Sequence, residues 1–163
     1  MPRYSVLFLC TGNSARSIMA EAILNHKGKP NFAAYSAGSH PSGVVRPEAL
    51  KQLASAHIPT AGLRSKNWNE FANHDAPKLD FVFTLCDHAA KESCPVWPGQ
   101  PMTAHWGVPD PPPPGAPSLE VDRAFREAFF VLDRRIGLFL SLPLASLDRL
   151  AIQHRIEEIG RSK

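Results

Sequence analysis

The feature that most constrains this chain is a cysteine and an arginine, Cys10 and Arg16, which are separated by five residues and set between two secondary-structure patterns. The apolar run Tyr4–Leu9 before them is typical of a buried parallel strand. The segment Ser17–His26 after them has the apolar spacing expected of a helix that packs on one side. The residues from Cys10 to Arg16 must therefore form the turn that leads from the end of a strand into a helix.

A turn of this kind favours binding of a tetrahedral oxyanion. Gly12 permits backbone geometry that other residues resist, so that successive N–H groups can converge on one anion. The helix N-terminus adds roughly half a positive charge, and Arg16 can hold two oxygens with its planar guanidinium group. The residues expected to contact the oxyanion are Thr11, Gly12, Asn13, Ser14, Ala15 and Arg16.

The same positive field is expected to stabilise a thiolate, so that Cys10 is acidic and nucleophilic at neutral pH. The hydroxyl group of Ser17 is expected to donate a hydrogen bond to that sulfur. The alternative is a buried cysteine at the end of a strand, with Arg16 on the surface. The glycine, asparagine and serines within the turn favour the nucleophile.

The composition excludes several classes of function. The 163 residues suffice for one domain, and the net charge of +3 comes without the basic stripe expected of nucleic-acid binding. No apolar stretch reaches the length of a membrane span, and the first residues lack the pattern of a signal peptide, so we expect a cytoplasmic protein. Three widely spaced cysteines argue against a disulfide scaffold and indicate reactive thiols.

Predicted strands and helices alternate along the chain, which favours an α/β fold with a parallel sheet. We expect one domain over residues 1–142, with a C-terminal helical extension of the same domain over residues 143–163. The predicted strands are Tyr4–Leu9, Phe32–Ser36, Asp80–Cys86 and Met102–Trp106. The predicted helices are Ser17–His26, Pro47–His57, a short one at Asn67–Asn73, a short one from Asp87, Leu119–Leu140 and one after Pro143.

Cys10, Cys86 and Asp110 each fall at or after the carboxyl end of a predicted strand. Ligands of parallel sheets bind beyond these ends, so we expect the three residues to share one rim. Asp110 lies in a loop with six prolines between Pro109 and Pro117, which restrict its backbone. We expect its carboxyl group to protonate a leaving oxygen; the alternative is a loop aspartate that caps a turn.

These motifs resemble the low-molecular-weight protein tyrosine phosphatase fold over residues 1 to about 140. The resemblance implies a three-layer α/β/α architecture around a four-stranded parallel sheet, a covalent intermediate on Cys10 and an aspartate that acts as the acid. Phosphatases do not require the two further cysteines, and they usually carry an aromatic residue where this chain has Pro112. The chain is more similar to the thioredoxin-coupled type of arsenate reductase, on the motifs Thr84-Leu85-Cys86, Cys94-Pro95, His105-Trp106-Gly107 and Asp110-Pro111.

Resemblance to that branch implies a thiol relay. Cys10 attacks arsenate, Asp110 protonates the departing oxygen, and Cys86 attacks the Cys10 sulfur so that arsenite leaves. Cys94 then attacks Cys86, and an external thiol reductant, either thioredoxin or glutaredoxin with glutathione, reduces the Cys86–Cys94 disulfide. Phosphate and sulfate are expected to bind as analogues of arsenate, and we expect no tightly bound cofactor and no metal.

Cys86 and Cys94 are eight residues apart, which is roughly 12 Å of rise in a continuous helix. A disulfide requires Cα atoms within about 7 Å. The segment between them must therefore bend or unwind when it is oxidised, and we predict that it is mobile. A zinc site that includes His88 is a further alternative, although the spacing fits no strong zinc pattern.

The resemblance also implies a cation site. Asn13, Glu21 and Ser36 match positions that bind potassium in some relatives of the branch, and Lys66 lies near the position of an aspartate that those relatives add. We expect the Lys66 ammonium group to take the place of the ion, which would make activity largely independent of potassium; the alternative is a solvated lysine. Ala15 replaces a cysteine that many relatives carry, so no disulfide can form within the loop.

Two other functions are compatible with these observations. One is hydrolysis of phosphotyrosine or of a small phosphate ester, and the other is a non-enzymatic role in binding oxyanions or responding to redox state. The segment after Pro143 either packs on the sheet or supports a dimer, and we expect a monomer rather than a dimer.

Overall fold

The computed structural model describes residues 3–87, 89, 97 and 99–162. Within this part of the chain, four parallel strands form one sheet in the order β2-β1-β3-β4. This arrangement confirms the expected fold class. The strands are β1 (Tyr4–Leu9), β2 (Phe32–Ala37), β3 (Phe81–Thr84) and β4 (Met102–His105).

The helices of the described residues follow the predicted order. They are α1 (Arg16–Lys27), α2 (Pro47–Ser55), α3 (Ser118–Leu140) and α4 (Arg149–Arg161), with short 3-10 helices at Trp68–Phe71 and Leu144–Ser146. None of the helices in the described segments is both long enough and apolar enough to cross a membrane.

Two element boundaries differ from the prediction for identifiable reasons. Helix α2 ends at Ser55 rather than at His57, because His57 has a φ of 59°, a left-handed conformation that cannot continue a helix. Strand β3 ends at Thr84 rather than at Cys86. Cys86 instead lies in a turn, where its sulfur accepts a hydrogen bond from the backbone N–H of Ala89 at 3.3 Å.

The two faces of the sheet are covered differently. Side chains alternate between faces along a strand, and Val6, Phe8, Phe81 and Phe83 pack with α1, α3 and α4 in the larger core, which also contains Trp106 and Phe139. The opposite face packs against the 3-10 helix Trp68–Phe71 and neighbouring residues. The members of this second cluster are Leu7, Leu9, Ala37, Phe71, Leu79, Val82 and Trp97.

The C-terminal helix α4 packs on the sheet beside β4, which is one of the two alternatives for the segment after Pro143. The indole Nε1 of Trp106 donates to the carbonyl of Ile156 at 2.9 Å. Gly160 faces the backbone of His105 so closely that a Cβ atom there would collide with the carbonyl oxygen of His105. Helix α4 therefore supports the strand that leads into the loop carrying Asp110.

Candidate active site

Cys10 lies at the point where β1 ends and the turn into α1 begins. Its backbone N–H still donates to the carbonyl of Ala37 on β2 at 3.2 Å, so the sheet fixes the position of the cysteine. The side chain is 5% exposed, with its sulfur beside that of Cys86 in a small buried cluster. Ala15, just before α1, offers no side-chain cap, which leaves the first N–H groups of the helix directed toward the loop.

The left-handed residue of the loop is Asn13 and not Gly12, which corrects the expectation that Gly12 supplies the special backbone geometry. Asn13 has a φ of 42° and is fully buried. Its side-chain amide donates to Ser17 Oγ at 2.8 Å and accepts from the backbone N–H of Lys66 at 2.8 Å. These hydrogen bonds hold asparagine, which tolerates a positive φ better than most residues, in this conformation.

A glycine outside the loop is also required by the geometry of the site. A Cβ atom on Gly38, directly after β2, would collide with the carbonyl oxygens of Cys10 and Thr11. The close approach lets the backbone of Gly38 support the underside of the loop. Only glycine, which has no side chain, is compatible with this packing at position 38.

Arg16, the first residue of α1, connects the loop to Asp110. Its Nη1 donates to the carbonyl of Val108 at 2.8 Å and its Nη2 donates to Asp110 Oδ1 at 3.0 Å. The side chain of Arg16 is 11% exposed, whereas that of Asp110 is 81% exposed. The guanidinium group expected to hold an oxyanion therefore binds the Asp110 carboxylate in this state. When an anion enters, Arg16 must either turn toward the anion or bind the anion and Asp110 together.

Cys86 receives hydrogen bonds from three sides. Ala89 donates its backbone N–H to the sulfur, the hydroxyl oxygen of Thr11 lies 3.6 Å from it, and the backbone N–H of Thr11 also donates to it. Cys10 contributes a fourth hydrogen bond. Donors that converge on one sulfur favour its thiolate form.

The two sulfurs titrate as a coupled pair. The hydrogen bond from Cys10 is the main cause that lowers the pKa of Cys86, to about 4. The same hydrogen bond and burial raise the pKa of Cys10, against the lowering effect of Arg16. At neutral pH the pair therefore shares one proton and carries one negative charge. The expectation that Cys10 is the acidic thiol of this pair stays a prediction, and the two groups cannot both be thiolates at little cost because each charge disfavours the other.

The residues of the predicted cation site form one buried cluster behind the loop. The Lys66 ammonium donates to the carbonyl of Arg64 at 2.8 Å and lies 3.7 Å from Glu21 Oε1, which also accepts from Ser36 Oγ at 2.5 Å. Burial raises the pKa of Glu21 and lowers the pKa of Lys66, while the attraction between the two charges opposes both shifts. The alternative of a solvated lysine is wrong, since the Lys66 side chain is only 7% exposed.

A cavity of about 670 Å³ gathers the predicted residues at the carboxyl edge of the sheet. Cys10, Cys86 and Asp110 all line it, together with the rest of the loop up to Arg16. Cys94 lies outside the described residues. The predicted mobility of the segment between Cys86 and Cys94 falls on the same part of the chain.

Two further side chains lie at this edge without a role predicted from the sequence. His105 Nδ1 lies 2.9 Å from Thr84 Oγ1, and its Nε2 lies 3.0 Å from the carboxylate of Asp87, which lines the cavity. Arg46, directly before α2, also lines the cavity. His105 belongs to the motif His105-Trp106-Gly107 and Arg46 to no local motif, and no pattern in the sequence indicates which distant loops the two residues contact.

Metal ligation was tested on the part of the chain that the structure describes. There, no group of three or more histidine, cysteine, aspartate or glutamate side chains is arranged to hold a metal ion. His88 and Cys94, which the zinc alternative requires, lie outside those residues.

The chain is similar to a known protein family and to named relatives. The family model described as low molecular weight phosphotyrosine protein phosphatase matches residues 5–150. The chain is 34% identical over 139 residues to a protein named arsenate reductase from Halalkalibacterium halodurans, a match that covers 85% of this chain and 96% of that protein. Most of α4 lies beyond the end of the family match.

Solved structures give the same fold. A structure described as an arsenate reductase in the phosphate binding state has a TM-score of 0.69 and 27% identity, and covers 85% of this chain and 97% of that chain. The thioredoxin-dependent arsenate reductase Cg_ArsC1' of Corynebacterium glutamicum has a TM-score of 0.64 at 24% identity and covers 89% of this chain and 64% of that one. At this level of identity, the similarity to Cg_ArsC1' is evidence for the fold alone.

Proposed function

The chain belongs to the low molecular weight phosphotyrosine protein phosphatase family, and from this we propose that it is an arsenate reductase, which converts arsenate to arsenite by a relay of three thiols. The observation that carries the proposal is the contact between the sulfurs of Cys10 and Cys86 inside the oxyanion cavity. A hydrolytic phosphatase needs one cysteine in that position. A second sulfur beside the nucleophile is what a reductive step requires.

In the first step, the Cys10 sulfur attacks the arsenic atom of an arsenate held by the loop and Arg16. Cys10 gives up its proton along the existing hydrogen bond to Cys86, the other thiol of the coupled pair. A sulfur–arsenic bond forms, and an arsenic–oxygen bond breaks as Asp110 protonates the leaving oxygen. The entering anion draws Arg16 away from Asp110, which releases the carboxyl group to face the leaving oxygen.

In the second step, Cys86 attacks the sulfur of Cys10. The electron pair of the sulfur–arsenic bond goes to arsenic, which is reduced from the +5 to the +3 state and leaves as arsenite. The two sulfurs are oxidised by one electron each and form the Cys10–Cys86 disulfide. For this attack the proton that Cys86 took from Cys10 passes through the cavity to the Asp110 carboxylate left by the first step. The hydrogen bonds from Thr11 and Ala89 support the Cys86 thiolate that results.

In the last steps, Cys94 attacks Cys86 and releases Cys10, which leaves a Cys86–Cys94 disulfide for an external reductant. We propose a dithiol protein of the thioredoxin type as that reductant, because its two thiols reduce a disulfide without accumulating a mixed disulfide. Glutaredoxin with glutathione is the alternative, and both are consistent with a cytoplasmic location.

Steady-state assays distinguish this function from phosphatase activity. The wild-type protein should oxidise NADPH through thioredoxin and its reductase when arsenate is added. Cys86→Ser should abolish this activity but retain any hydrolysis of p-nitrophenyl phosphate, because hydrolysis needs only Cys10, Arg16 and Asp110. Arsenate reduction that survives in Cys86→Ser would refute the relay. Hydrolysis without arsenate reduction in the wild type would establish the phosphatase instead.

A further inference from the structure

The loop that carries Asp110 has an unusual shortage of hydrogen-bond donors. Six of the nine residues from Pro109 to Pro117 are proline, and proline has no backbone N–H. Such a loop can be tied to the rest of the protein through its carbonyl groups, provided that other side chains supply the donors. The donors that reach its carbonyls therefore determine where Asp110 is held.

Arg46 is one of these donors. Its Nη1 donates to the carbonyl of Pro112, two residues after Asp110, at 2.7 Å. Its backbone N–H donates to the carbonyl of Ser14 in the oxyanion loop at 2.9 Å. Arg46 is thus bonded directly to both the loop that binds the oxyanion and the loop that carries the acid.

The guanidinium group of Arg46 is fixed by its other contacts. Its Nη2 donates to Glu48 Oε2 at 3.0 Å, and its central carbon lies 4.7 Å from the ring centroid of Phe125, which is fully buried on α3. The side chain is 14% exposed. Among the described residues its Nε has no hydrogen-bond partner although it is buried, a cost that the contacts of the other nitrogens must offset.

Arg16 cannot replace this function during the reaction. It also holds the loop, through Val108 and Asp110, but it faces the oxyanion and must rearrange when one binds. The bonds from Arg46 to Ser14 and Pro112 involve no group that the oxyanion displaces. Arg46 can therefore keep the loop in place while Arg16 turns to the substrate.

We propose that Arg46 is a positioning residue for the reaction, which clamps the loop of Asp110 onto the loop of Cys10 and so holds the acid over the leaving oxygen. This inference rests on the proposed function, because it assumes that Asp110 acts as the acid. Arg46 lines the cavity, but its Nη1 and Nη2 donate to Pro112 and Glu48, so we assign it to positioning rather than to contact with the reacting atoms. Its effect on catalysis should therefore disappear when the acid is removed.

A double-mutant cycle tests the coupling between the two residues. The kcat/KM for arsenate should fall about tenfold in Arg46→Met and about 100-fold in Asp110→Asn, within the range of general acid catalysis. The double variant should match Asp110→Asn to within about twofold. A loss near the product of the single effects, or no loss in Arg46→Met, would overturn the proposal. Arg46→Lys keeps one donor for Pro112, so its kcat/KM should fall less than that of Arg46→Met. It also keeps the test usable if Arg46→Met does not fold.

Arg149 supplies the matched control. Its Nη2 donates to the carbonyl of Gln100 at 2.8 Å, so it ties down a distant segment as Arg46 does. That contact lies before β4, at the edge of the sheet opposite Asp110. Arg149→Met should keep the kcat/KM of the wild type, and an equal loss in both variants would attribute the effect of Arg46 to general destabilisation.

Amide hydrogen exchange in the presence of phosphate tests the clamp without any turnover. In Arg46→Met, the amide of Ala116, which donates to the carbonyl of Pro113 at 3.3 Å, should exchange faster than in the wild type, while those of β1 and β3 keep their protection. Unchanged exchange in the loop would overturn the proposal. A wild-type protein that does not reduce arsenate, but whose loop responds to Arg46→Met in this way, would refute the proposed function and leave the clamp standing.

Discussion

Arg16 Nη2 donates to Asp110 Oδ1 at 3.0 Å, so the resting protein pairs the cation of the oxyanion site with the group proposed as the acid. The pair is open to solvent on the side of Asp110, which is 81% exposed, and exposed ion pairs contribute little stability. An oxyanion can therefore displace the carboxylate from Arg16 at small cost. We infer that this contact belongs to the resting state. Substrate binding then releases Asp110 from Arg16, so that the acid lies beside an occupied oxyanion site.

Replacement of the acid should separate chemistry from binding. We predict that Asp110→Asn lowers kcat for arsenate about 100-fold without raising KM, because the amide competes less strongly than a carboxylate for Arg16. Steady-state kinetics at saturating reductant measure both constants. Asp122→Asn, an exposed aspartate on α3 that pairs with Lys51, is the control. A raised KM with unchanged kcat would show that Asp110 serves binding.

The coupling between the two sulfurs predicts opposite effects of one variant at each cysteine. Cys86→Ser removes the largest cause of the raised pKa of Cys10, so Cys10 should become more acidic and react faster with iodoacetamide at neutral pH. Cys10→Ala removes the hydrogen-bond donor that is the largest cause of the lowered pKa of Cys86, so the pKa of Cys86 should rise from about 4 toward its usual value. Ultraviolet absorbance of the thiolate against pH measures both changes. Shifts in the same direction would contradict a shared proton.

The buried ammonium of Lys66 predicts the response to monovalent cations. In the wild type, replacing sodium by potassium should change kcat/KM less than about twofold, because the site beside Glu21 is already occupied by Lys66. Lys66→Met leaves the buried Glu21 carboxylate without its partner, which should cost about 3 kcal/mol of stability. Urea unfolding measures this loss, and potassium should restore part of it. A strong potassium activation of the wild type would contradict the assignment.

Two helical glycines test how α4 is packed. Gly160→Ala places a methyl group against the carbonyl of His105 and should cost about 1–3 kcal/mol of stability. Gly137 on α3 has open space around its Cα, so Gly137→Ala should stabilise the protein by roughly 0.5–1 kcal/mol. Thermal unfolding of the two variants measures both values. Equal effects of the two substitutions would mean that α4 does not pack on β4 as described.

The sequence was sufficient for the parts of the site that are local. Cys10 and Arg16 are adjacent to a strand and a helix that their own apolar patterns predict, and parallel topology then brings Cys86 and Asp110 to the same edge. Each inference depends on short-range signals and on a general rule for parallel sheets. The four strands follow from the same signals, whereas their order in the sheet was not predicted.

The sequence was not sufficient where a property depends on contacts between distant segments. The contact between Cys10 and Cys86 couples the pKa values of the two thiols, and no local pattern in the sequence indicates that the two side chains meet. Asn13 takes the left-handed position expected of Gly12 because Lys66, far along the chain, accommodates its side chain. Arg46 looks like an ordinary residue before a helix until the position of Pro112 is known.

The relay itself can be tested by a single turnover in Cys94→Ser, with arsenate and without any reductant, followed by arsenic speciation and mapping of disulfides by mass spectrometry. The relay predicts about one arsenite released per protein chain and a disulfide between Cys10 and Cys86. Absence of arsenite, or arsenite formed while Cys86 stays reduced, would contradict it.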